Sequence, residues 1–85
     1  GNLILSDRFE RIVSRLGINV GEKVLVKTET LGRYATVAEV FSKASIGELV
    51  LYKNSFDMAE LAVNQGSARK IMGLGVGDPV VLCKA

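Results

Sequence analysis

Two polar clusters, Asn54-Ser55 and Asn64-Gln65-Gly66-Ser67, flank an apolar strand-like segment over residues 59–63. Amides and hydroxyls at the two ends of a strand leave the backbone ladder, and there they can meet a ligand. An amide both donates and accepts, and a hydroxyl can do either. The same residues also suit structural work. Asn54 and Asn64 form turns readily, and Ser67 fits the N-cap of a short helix beginning at Ala68. Residue type alone leaves both readings open.

Other chemistries find little support. The chain has no histidine and one cysteine, Cys83, so it holds neither a Cys/His zinc set nor a histidine-activated nucleophile, and no internal disulfide. Cys83 reads as a small hydrophobe near the C-terminus. The acidic residues show no paired spacing that would set two carboxylates on one strand face, which argues against general acid–base catalysis by this chain alone. Residues 73–77, Gly-Leu-Gly-Val-Gly, lack the Lys-Ser/Thr of a phosphate loop and follow a helix instead of opening one.

The chain is 85 residues long and 48% hydrophobic, with a mean hydropathy of +0.29. A chain of this size buries only about 60–65% of its unfolded surface, so this much apolar material predicts an obligate interface. Eleven basic and nine acidic residues, net +2, are interleaved without a run of one sign, which argues against a nucleic-acid partner. No stretch approaches the roughly 18 apolar residues of a membrane span, and no signal peptide is visible, so the expected setting is the cytoplasm.

The elements that must position the polar clusters are legible in outline. Strand-like runs fall at residues 3–5, 24–28, 34–41, 49–52, 59–63 and 80–82, the fifth being chosen over helix for its length and flanking turns. Amphipathic stretches at Phe9–Leu16 and Ala68–Met72 each stop at a glycine suited to a left-handed C-terminal cap. Residues 16–24 and 72–80 then repeat one pattern: helix end, glycine-acid turn, strand. The expected fold is mainly β, a small antiparallel, Greek-key-like β-barrel with two short helices.

The strings Asn54-Ser55-Phe56, residues 60–68 (Glu-Leu-Ala-Val-Asn-Gln-Gly-Ser-Ala) and residues 75–80 (Gly-Val-Gly-Asp-Pro-Val) resemble the C-terminal domain of the S-adenosylmethionine hydroxide adenosyltransferases. These are hydrolase relatives of the fluorinase and chlorinase enzymes. Gly1-Asn2-Leu3, which opens the chain without a methionine, resembles the end of that family's Asp-x-Phe-Gly-Asn-Leu motif, so the 85 residues read as one domain of a longer protein.

The resemblance implies hydrolysis of S-adenosylmethionine to adenosine and methionine by attack of water or hydroxide at the ribose C5′ carbon. It makes S-adenosylmethionine the substrate and implies no separate cofactor. It also implies an N-terminal α/β domain that positions the nucleophile, a homotrimer with sites between subunits, and a C-terminal domain inactive alone. By the same resemblance Asn2 contacts adenine, Phe41 packs near the base, and the backbone at Asn64, Gln65 and Gly66 meets the adenine edge. Ser55 holds the methionine end and Asn54 fixes the turn. For Phe41 a core aromatic is the alternative.

Phe56 stands where halogenating members carry an arginine, which points to a hydrolase. Asp57 replaces a glycine and must accept a positive φ if the turn is kept. Two other functions compete. A swapped-hairpin, dimeric DNA-binding regulator needs a basic face, whereas the lysines and arginines here are scattered. A ligand-free assembly module predicts that Asn2, Asn54, Ser55 and Asn64 do not converge.

Overall fold

The computed structural model describes residues 1–41 and 44–85. Six strands and two helices follow in the order β1 (Leu3–Arg8), α1 (Phe9–Leu16), β2 (Lys23–Lys27), β3 (Gly32–Ala38), β4 (Leu49–Lys53), β5 (Met58–Val63), α2 (Ala68–Met72) and β6 (Val81–Lys84). They form one sheet in the order β1-β5-β4-β3-β2-β6, curled into a half-barrel. The mainly β architecture with two short helices is as the sequence predicts. One pairing differs: β3 and β4 run parallel, with Val37 opposite Leu51. A parallel neighbour demands a crossover, and residues 39–48 supply it.

That crossover shortens β3 at its C-terminal end. The alternating run at 34–41 ends as strand at Ala38, leaving Val40 exposed and Phe41 beyond the ladder. β1 is longer than its apolar start, because pairing with β5 carries it through Ser6 and Asp7 to Arg8 opposite Met58, past an irregularity in register.

The concave face of the sheet carries the core. Val24 and Val26 of β2, Ala35 and Val37 of β3, Leu49 and Leu51 of β4, and Ala59, Leu61 and Val63 of β5 pack beneath Phe9, Ile12, Ala68 and Met72 of the helices. β5 is buried continuously from Ala59 to Val63 because both of its faces are covered, which is why it lacks strand alternation in the sequence.

The repeated corners are alike down to single hydrogen bonds. Gly17 and Gly73 both sit at φ 65°, and Ile18 and Leu74 donate their N–H groups back to Val13 and Arg69. The Glu22 carboxylate accepts from the Asn19 N–H at 2.7 Å, and the Asp78 carboxylate accepts from the Gly75 N–H at 2.8 Å. The first corner is also clamped to β3, since Gly21 donates to the Val37 carbonyl and Val37 to the Glu22 carbonyl. The second borders a surface hollow of about 320 Å³ beside β1, where Val76 stands 93% exposed.

Candidate ligand-binding site

The convex face of β4 and β5 is not simply solvated. Val50 and Ala62 are buried there, outside the main core cluster, and strand alternation puts Tyr52 and Glu60 on the same side. Phe41 from the crossover meets the Tyr52 ring at a centroid distance of 5.6 Å, tilted by 39°. Farther along, the Asn64 Nδ2 donates to the Ala44 carbonyl at 2.7 Å. Phe41 and Ala44 thus each meet this face.

Glu60 is the centre of the arrangement. It is 8% exposed, and three side chains donate to its carboxylate: Tyr52 OH at 2.6 Å, Asn2 Nδ2 at 2.9 Å and Asn54 Nδ2 at 3.1 Å. Burial alone pushes its pKa up, but the bonds from Tyr52, Asn2 and Asn54 outweigh that effect and hold it below the usual carboxylate range. Burial, reinforced by the bond to the Glu60 carboxylate, pushes the Tyr52 phenol up to about 12. Glu60 is therefore an anion and Tyr52 a neutral donor at ordinary pH.

The turn at residues 54–57 is held by Asn54. Its Oδ1 accepts from the Phe56 N–H at 2.9 Å and the Met58 N–H at 3.0 Å, an Asx-type closure of the β4–β5 hairpin. Asp57 adopts φ 65°, the left-handed geometry its place in the turn demands, and its carbonyl accepts from the Phe9 N–H at the start of α1. Ser55 and Phe56 form the outward tip, with Phe56 80% exposed.

At the opposite end of β5, Gln65 also takes a positive φ, 56°. Gly66 follows because a Cβ there would lie 2.8 Å from the Val63 Cγ1. Ser67 caps α2 through the Lys70 N–H, the structural alternative for that residue. Gly1 packs against Ser67, and its carbonyl accepts from the Arg69 N–H, which fixes the approach to Asn2.

Asn2 and Asn54 therefore meet on one carboxylate, and Phe41 stands on the tyrosine beside it. Ser55 and Phe56 lie just beyond Asn54. Asn64 and Gln65 lie at the far end of β5, four and five residues beyond Glu60, roughly 13–17 Å along the strand. The sequence reading missed Glu60 and Tyr52. The available signal was a lone carboxylate within an apolar run, which a two-sided burial makes costly unless several donors meet it. Among the described residues no group of acidic, histidine or cysteine side chains could hold a metal, and no helix is long and apolar enough to cross a membrane.

The chain that folds into this half-barrel matches a known domain type. Residues 1–81 match the SAM hydroxide adenosyltransferase C-terminal domain, and the chain belongs to that family. It is 39% identical over 83 residues to an (R)-S-adenosyl-L-methionine hydrolase of Thermus thermophilus, a match that takes in 96% of this chain and 31% of the relative. The chain thus spans about a third of that enzyme's length. A crystal structure of an uncharacterized conserved protein from Thermotoga maritima superimposes with a TM-score of 0.89 at 28% identity, covering 98% of this chain and 32% of that one.

Proposed function

We propose that this chain is the C-terminal, ligand-capping domain of an enzyme that hydrolyses S-adenosylmethionine to adenosine and L-methionine by attack of water or hydroxide at C5′. The observation that best supports the reading is the meeting of Asn2 and Asn54 on Glu60 beside the Phe41–Tyr52 pair. An amide edge and an aromatic plane side by side suit a purine. Asn2 and Phe41 meet the adenine end. Ser55 and Phe56 face the methionine end, and Asn54 holds their turn.

The nucleophile is oriented by an N-terminal α/β domain of the same polypeptide, and the site closes between subunits of a cytoplasmic homotrimer. Exposed Ile46, Phe56 and Val76 supply apolar surface for such contacts.

The full-length protein, incubated with S-adenosylmethionine in ¹⁸O-water, is expected to release methionine and adenosine labelled at the 5′-oxygen, while the 85-residue chain alone stays silent. Absence of adenosine, or adenosine without label, refutes the hydrolase reading.

A further inference from the structure

Glu60 decides which way two amides face. A carboxylate can only accept, so the Nδ2 groups of Asn2 and Asn54 must both turn toward it, and their carbonyl oxygens must turn away. The two asparagines then differ. Asn54 uses its oxygen internally, accepting from the Phe56 and Met58 N–H groups. Asn2 is exposed, and among the described residues no donor meets its Oδ1. The cluster therefore leaves one oriented acceptor, held at the rim by a buried anion.

Resting on the proposed adenosyl-binding function, we infer that Glu60 is a positioning and specificity residue. It locks the Asn2 carbonyl oxygen toward the ligand, so that the purine edge read there must present a donor, a 6-amino group and not a 6-oxo group. Tyr52 and Asn54 keep Glu60 in place by occupying both of its oxygens. A purine carrying an oxygen at that edge sets acceptor against acceptor, and an Asn2 turned over to greet it sets its own oxygen against Glu60. Either arrangement leaves a polar group unsatisfied.

Glu60→Gln breaks the lock without changing shape, because the new amide can donate to the Asn2 oxygen and let Asn2 present its NH₂ outward. In the full-length protein, calorimetric titration with adenosine and with inosine is expected to show wild type preferring adenosine. E60Q should narrow that preference by about tenfold, the cost of one mismatched buried bond. Asn2→Ala should narrow it as much, and adding E60Q to N2A should change it no further. A purely structural role for Glu60 weakens both nucleosides together and leaves the ratio alone, and that result overturns the inference.

A wild type that binds both nucleosides, with an unchanged ratio in E60Q, defeats only the positioning role. A wild type that binds neither and yields no adenosine from S-adenosylmethionine defeats the functional reading with it. If E60Q does not fold, side-chain NMR of Asn2 in wild type makes the same decision. Adenosine should shift the Asn2 carbonyl carbon while its Nδ2 protons stay bonded to Glu60, and release of that Nδ2 bond on adenosine binding overturns the proposal.

Discussion

The two faces of the β4–β5 hairpin are both buried, by opposite means. On the concave face Leu51 and Leu61 stand opposite each other, wholly enclosed beneath the helices. On the convex face the neighbouring pair is Tyr52 and Glu60, covered in part by Phe41 of the crossover and satisfied through hydrogen bonds. Apolar packing tolerates no gap but asks for no direction. A buried carboxylate costs several kcal/mol unless donors reach it, and in return it fixes their orientation. One face therefore supplies stability, and the other supplies a shaped polar rim.

The largest effect should come from the concave face. Leu61→Ala is expected to destabilise the fold by about 3 kcal/mol in urea unfolding, through lost transfer energy and the cavity left in a fully enclosed site. A loss below about 1 kcal/mol would show that the two faces are not so different.

Next is Glu60→Ala, which strips three donors of their acceptor. About 2 kcal/mol should be lost, and in the full-length protein the affinity for adenosine should fall as well, an effect that Leu61→Ala should not reproduce beyond its loss of fold.

Tyr52→Phe should cost about 1 kcal/mol by removing one charge-assisted bond. It also sharpens the pH contrast between the faces. In the folded state the Tyr52 phenol is raised from 10.0 to about 12, so its contribution is complete below pH 10 and drains away as pH climbs through 12. Glu60 is lowered from 4.5, so its contribution is complete above that value and is lost as pH falls through its lower folded value. Unfolding measured against pH should show both limbs in wild type, with the alkaline one weakened in Tyr52→Phe.

The smallest effect concerns the turn. Asp57→Gly relieves a positive φ and should raise stability by about 0.5 kcal/mol, since left-handed strain outweighs glycine's extra freedom when unfolded. A loss instead would mean that the exposed Arg8–Asp57 contact, 4.0 Å apart, matters more than surface pairs usually do.

Much of this was readable from residue order. The glycine caps at Gly17 and Gly73 and the Ser67 cap follow from local rules linking residue type to backbone geometry, and each stands where those rules put it, whereas the positive φ of Asp57 was expected from the family resemblance. The strand at β5 was recovered by its length and flanking turns in spite of its missing alternation. Asn54 entered by its residue type at a strand end, and Asn2 and Phe41 through resemblance to a family. The partner that gathers the two asparagines, Glu60, was not singled out as a site residue, because a glutamate in a strand ordinarily faces water and its apolar neighbours Ala59, Leu61, Ala62 and Val63 were the one local sign of burial.

What residue order determined by itself was therefore local: helix ends, turns, the apolar runs that become strands, and the amount of apolar surface to be covered. What only the tertiary structure decided was the parallel join of β3 to β4, and with it the placing of Phe41 and Ala44 on the convex face. Phe41 there stands against Tyr52, while the pairing of β1 with β5 brings Asn2, from the start of the chain, to Glu60. Caps and turns obey forces acting over a few residues, whereas burial and the direction of a hydrogen bond depend on atoms 58 positions away, whose arrival no local pattern encodes.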